Sequence, residues 1–180
     1  MKIWLLDFQV DEYDLVRSVQ ELGFEFPHSF DGRSKINSWV PFEVERLHEN
    51  ELGNAPGFLP HIPIFDKKAV EAVKDLIAGS AEVLPLICRE GEFYAINITQ
   101  VLNCIDYEKA DFETFSDGKR IMMFNKYAFI ENIVKGKHIF KIIDAPRSRP
   151  FVSDEFRQRV IMNDLKGFDF ELAWDSKAQH

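Results

Sequence analysis

The segment from Asp66 to Thr99, DKKAVEAVKDLIAGSAEVLPLICREGEFYAINIT, predicts a helix followed by two strands, and this order decides the fold class. Asp66 is suited to cap the helix, because its carboxylate can accept a hydrogen bond from a backbone N–H of the first turn. The apolar positions form one stripe that ends at Gly79, and they are Ala69, Val70, Val73, Leu76 and Ile77. Such a stripe must pack against another element, and the two strands that follow are the expected partner.

The two strands are predicted over residues 82–89 and 92–99, with a turn at Glu90-Gly91 between them. Side chains of the second strand alternate between two sets, Tyr94, Ile96 and Ile98 in one and Phe93, Ala95 and Asn97 in the other. This period of two predicts a strand with one strongly buried face, formed by the first set.

Toward the N-terminus, residues 1–7 indicate a first strand, and residues 11–22 carry apolar side chains at helical spacing that closes at Gly23. We therefore predict a helix over 11–22. Residues 24–40 show no period and indicate an irregular segment, while Phe42 and Val44 suggest a short strand after it.

Toward the C-terminus, the apolar run 121–124 follows a turn signal at Asp117-Gly118 and predicts an interior strand, and residues 139–143 predict another. Ser153 is suited to cap a further helix that Gly167 ends, with a buried stripe of Phe156, Val160, Ile161 and Leu165. The last strand alternates strictly, so one buried face is expected from Phe168, Phe170, Leu172 and Trp174.

Strands joined by hairpin turns, with interspersed helices, predict an α+β fold with a mostly antiparallel sheet and two or three packed helices. No repeat or linker divides the chain, so residues 1–180 are expected to form a single domain. The 17 phenylalanines, beside 4 Tyr and 3 Trp, favour a Phe-packed core over an aromatic binding surface.

The formal net charge of -8 argues against nucleic acid or an anionic membrane as a partner, because both repel an acidic surface. A basic protein would instead be attracted. The sequence shows neither a secretory signal nor a run of about 18 apolar residues that could span a membrane. We therefore expect a cytoplasmic protein, and the oligomeric state stays open.

Sequence motifs for catalysis or for metal and cofactor binding are absent, so no catalytic, cofactor-binding or metal-binding residue is predicted. The histidines are far apart in sequence, namely His28, His48, His61, His138 and His180. Cys88 and Cys104 lie in apolar contexts and are expected to be buried and free. The 9 glycines do not cluster into a phosphate-binding loop. An enzyme with no recognisable motif remains the weakest alternative.

One charged segment is the best candidate for contact with a partner. We call Asp106, Glu108, Asp111 and Glu113 the acidic stretch; aromatic residues interleave with these carboxylates, as in interfaces that combine steering with apolar burial. A strand whose aromatics face the core is the competing interpretation. The basic cluster Arg147-Ser148-Arg149 is expected to be a solvated loop.

Several separated blocks, in the same order along the chain, resemble a bacterial family of immunity proteins from polymorphic toxin systems. The blocks are Pro63-Ile64-Phe65-Asp66, Leu84-Pro85-Leu86, Phe93 to Thr99 with Val101-Leu102, Ile139-Phe140-Lys141, Phe151 to Phe156, and Gly167-Phe168. The resemblance covers residues 39–174, and residues 1–38 match weakly.

The resemblance implies a protein that binds and neutralises a cognate secreted toxin by stoichiometric protein–protein interaction. It implies no catalytic residues, and it does not locate the toxin-binding surface, for which the acidic stretch is our candidate. A stand-alone binding module with another protein partner is the alternative.

Overall fold

The computed structural model describes residues 1–47 and 50–178, which form thirteen strands and four helices. In chain order these are β1 (Lys2–Phe8), β2 (Val16–Ser18), α1 (Glu25–His28), β3 (Glu43–Arg46), β4 (Ile64–Asp66), α2 (Lys67–Ile77), β5 (Ala81–Pro85), β6 (Ile87–Cys88), β7 (Phe93–Ile98), β8 (Val101–Leu102), β9 (Asp111–Thr114), β10 (Ile121–Lys126), α3 (Glu131–Val134), β11 (Ile139–Ile142), β12 (Phe151–Ser153), α4 (Asp154–Met162) and β13 (Phe168–Asp175).

The strands form a five-stranded sheet in the order β13-β1-β12-β11-β8, two three-stranded sheets, β4-β7-β5 and β2-β3-β6, and the hairpin β9-β10. Pairing is antiparallel except between β11 and β8 and between β3 and β6. This architecture confirms the α+β fold with mostly antiparallel pairing, although the strands are divided among several sheets. A single domain over residues 1–180 stays a prediction.

Strand β1 lies inside the five-stranded sheet and is buried on both faces. Leu6 and Phe8 join one core cluster under α2 and α4, whereas Ile3 and Leu5 join a second cluster on the opposite face. Ten of the 17 phenylalanines are buried, which favours the Phe-packed core.

The two longer helices begin at the caps that the sequence predicts. The Asp66 carboxylate accepts from Ala69 N at 2.7 Å, and the Ser153 hydroxyl accepts from Phe156 N at 3.1 Å. Helices α2 and α4 pack together, and Arg159 of α4 donates to the Asp75 carboxylate at 2.7 Å. Helix α4 ends at Met162, so the prediction that Gly167 ends it was wrong.

Strand β7 corrects the prediction of one buried face. It is the middle strand of its sheet, and Phe93 and Ala95 pack into a third core cluster while Ile96 and Ile98 pack into the first. Asn97 is also fully buried, and its amide donates to the Arg33 carbonyl and the Glu82 carboxylate at 2.9 and 2.8 Å. A central strand between two packed layers has no solvent face.

The helix predicted over residues 11–22 was wrong. Residues 16–18 form β2 and pair with β3, and the buried Asp14 carboxylate accepts from Arg46 Nε at 2.9 Å. Helical spacing of a few apolar residues is a weak signal that tertiary contacts override.

The last strand also departs from its predicted single face. Ile3 pairs with Trp174 but Trp4 pairs with Leu172, so Ala173 is an extra residue at a bulge. The bulge places Trp174 in the second core cluster, opposite Phe168 in the first. Leu172 lies before the bulge and is 47% exposed.

Candidate functional site

The hairpin β9-β10 forms a separate two-stranded sheet with exposed apolar side chains. Met122 and Met123 of β10 are 48% and 49% exposed, and Tyr107 and Phe115 nearby are 45% and 44% exposed. The prediction of an interior strand over 121–124 was therefore wrong. Within the described residues β10 pairs only with β9, so no strand pairs with its other edge.

A row of aromatic rings connects this hairpin to the protein core. The ring centroids of Phe112 and Phe124 are 5.9 Å apart across the hairpin, and Phe124 stacks on Tyr127 with centroids 4.9 Å apart. Tyr127 in turn meets the buried Phe151 edge-on at 5.0 Å. An isolated two-stranded hairpin is only marginally stable, so these rings hold it in a fixed orientation.

The acidic stretch lies at the base of this hairpin and along β9. Asp106 is half-buried and binds Lys109 at 2.6 Å, and this hydrogen bond lowers the pKa of the Asp106 carboxyl. Glu108, Asp111 and Glu113 are exposed. Residues 106–126 contain five acidic and four basic residues, so the local net charge is close to zero. The assignment of the stretch to toxin binding stays a prediction.

One groove of about 610 Å³ lies beside the hairpin and is lined by Tyr107, Phe112 and Phe115. The Tyr107 hydroxyl donates to Asp144 Oδ1 at 2.7 Å. Burial, together with this carboxylate, raises the pKa of Tyr107 to about 12. The groove therefore combines aromatic rings and a hydrogen-bonded carboxylate with two cations, Lys119 and Arg120.

A second groove, of about 590 Å³, runs along β10 and is lined by all four residues of the run 121–124. Arg147 and Arg149 also line this groove. Arg149 is half-buried and bridges the carboxylates of Asp7 and Glu171, the latter at 2.8 Å. The expectation of a solvated basic loop was wrong for Arg149, because its carboxylate partners come from distant strands that the local sequence does not reveal.

The closest approach to a catalytic arrangement is at the start of α4. His138 Nδ1 lies 3.0 Å from Ser153 Oγ and 3.0 Å from Glu155 Oε2. A relay that activates a serine uses the two different ring nitrogens of the histidine, one for the hydroxyl and one for the acid. Both contacts here involve the same nitrogen, and Ser153 already caps the helix, so this geometry is structural.

The other two described histidines, His28 and His61, make structural contacts. The His61 Nε2 donates to the Pro27 carbonyl at 2.9 Å, and His28 packs on Phe24. His48 and His180 lie outside the described residues. Within residues 1–47 and 50–178, no three His, Cys, Asp or Glu side chains converge as metal ligands would.

Both described cysteines are free thiols, but only one is buried. Burial raises the pKa of Cys104 to about 12, so this thiol is protonated at neutral pH. Cys88 is half-buried rather than buried, and its Sγ donates to Glu90 at 3.1 Å. Neither has the lowered pKa that a reactive cysteine needs.

None of the described helices is long and apolar enough to cross a membrane.

Comparison with known proteins relates part of this chain to one family. The chain matches no curated protein. Residues 89–175 match the model of an immunity protein family (Imm11), a segment that begins before β7 and includes the hairpin and α4. The blocks of resemblance that precede residue 89 lie outside this match. Over residues 89–175 the chain is thus similar to the Imm11 family of immunity proteins, and the resemblance seen in the sequence is confirmed.

Proposed function

We propose that this protein is an immunity protein that binds and neutralises a cognate toxin domain in the cytoplasm of the bacterium that makes both. The match of residues 89–175 to an immunity protein family carries the proposal. A protein of this kind meets its toxin as a macromolecular partner and acts by occupying it in a fixed ratio.

The surface of the hairpin β9-β10 supports a binding role. Exposed methionine and aromatic side chains lie beside charged ones, and the aromatic row fixes the orientation of the hairpin before any partner arrives. Preorganised apolar anchors with a charged rim are typical of protein interfaces. We include the acidic stretch in this surface, where it would meet basic side chains of the toxin.

The experiment is co-expression of this chain with the toxin domain that a neighbouring gene encodes, and expression of that domain alone as the comparison. Co-purification and titration of toxin activity follow. Neutralisation by occupancy should end near a fixed molar ratio of the two proteins. Inactivation of many toxin molecules by one immunity protein would refute occupancy and favour an enzyme. If the toxin is neither bound nor inhibited, the alternative of a stand-alone module with another partner is favoured.

A further inference from the structure

We propose that the groove along β10 receives an extended segment of the toxin, which pairs with the open edge of β10 and sets an acidic side chain against Arg147. This inference rests on the proposed function and names the part of the surface that recognises the toxin.

The first argument concerns the strand edge. β10 is paired on one side by β9, and no other strand in the described part of the chain reaches its outer edge. Exposed apolar edge strands are templates for pairing with another chain, and natural proteins cover or charge them. The run Ile121-Met122-Met123-Phe124 carries no charge, and all four residues line the groove. An added strand would supply the missing main-chain partners.

The second argument concerns the groove itself. Leu5 and Tyr127 contribute an apolar lining, and Tyr127 is held by the buried Phe151. The flexible side chains of Met122 and Met123 can adjust to the side chains that enter. A slot with one strand edge, a fixed apolar lining and adaptable walls fits an extended peptide better than a flat protein surface.

The third argument concerns charge. The charged and titratable groups that line the groove are Asp7, His61, Tyr127, Arg147 and Arg149. Arg149 is compensated by Asp7 and by Glu171 beside it, and burial lowers the pKa of His61, which keeps this imidazole neutral at pH 7. Burial raises the pKa of Tyr127, which is uncharged there as well. Arg147 lines the groove, is exposed and makes no ion pair within the described residues, so its guanidinium is free to meet an acidic side chain of the toxin.

A second copy of this chain fits less well. If two β10 edges paired, each groove would receive a strand whose only charged residue is Lys126. This cation would be repelled by Arg147, because like charges in an interface are unfavourable. The complementarity therefore favours a toxin segment with an acidic residue.

The test compares the full-length protein with its Arg147→Glu variant, and Lys68→Glu serves as the control because Lys68 is an exposed cation on α2, away from the groove. Affinity for the toxin domain should fall by about tenfold or more for Arg147→Glu and stay unchanged for Lys68→Glu. Hydrogen exchange of the wild-type protein should slow at those amides of residues 121–124 that point away from β9 when the toxin binds, with α2 as the internal reference.

The outcomes separate this inference from the proposed function. Toxin binding that is equal in wild type and Arg147→Glu, with unprotected amides at 121–124, would overturn the inference and leave the immunity function intact. A free protein that sediments as a dimer and already protects these amides would assign the edge to a second copy, which also overturns it. If the wild-type protein does not bind the toxin, both proposals fail together.

Discussion

Lys141 in β11 gives the most quantitative prediction, because a lysine with 1% of its surface exposed is costly to keep charged. Its ammonium donates to the Phe30 carbonyl at 2.8 Å and to the His61 carbonyl at 3.2 Å, so it ties two separate loops to the five-stranded sheet. Burial lowers the pKa of Lys141 from 10.5 to about 8, and Asp31 offsets only part of this effect.

The sign of the pH effect follows from which state holds the proton. Between pH 8 and pH 10.5 the unfolded chain keeps the proton on Lys141 while the folded chain loses it. The free energy of unfolding therefore rises with pH in this window, and it is independent of this group below and above it. The pKa difference corresponds to about 3 kcal/mol across the whole window, at about 1.4 kcal/mol per pH unit.

The measurement is urea unfolding of the wild type and of Lys141→Met at several pH values from 7 to 10.5. Methionine keeps the length of the side chain but cannot titrate, so the difference between the two proteins cancels all other groups, including Cys104. We expect the wild type to gain about 3 kcal/mol relative to the variant as the pH rises. A difference that stays constant across this range would refute the reasoning that burial dominates at Lys141.

Two further predictions concern the last strand and the acidic stretch. Trp174→Ala should destabilise the fold by about 3–5 kcal/mol in thermal or urea unfolding, because the ring is buried in the second core cluster. Leu172→Ala, on the same strand but largely exposed, should cost under about 1 kcal/mol, and equal costs would contradict the bulge. Replacing the four carboxylates of the acidic stretch with amides should slow association with the toxin and flatten its salt dependence in rapid-mixing kinetics, while dissociation changes less. Unchanged association by a folded variant would place the stretch outside the interface.

The sequence predicts best those features that depend on neighbouring residues in the chain. The caps at Asp66 and Ser153 are local, since each side chain bonds a backbone N–H three residues later, and both are present in the structure. The prediction of a helix over 11–22 was wrong because the contacts of this segment are distant in sequence. Asp14 accepts a hydrogen bond from Arg46, and Val16 pairs with β3. The bulge at Ala173 is invisible for the same reason, because only the register against β1 reveals it.

The candidate site could not be predicted from the sequence, and the reason is more specific. The apolar residues of the run 121–124 indicate that β10 should be buried. The sequence pattern does not indicate whether the strand that covers β10 comes from this chain or from a partner. The interior-strand prediction and the open edge thus describe one property of β10: it has the composition of a covered strand and, in the described chain, a neighbour on one side only. In a protein proposed to act by binding another protein, the second neighbouring strand is expected to come from the partner. Hydrogen exchange at the amides of residues 121–124 can detect when that strand binds.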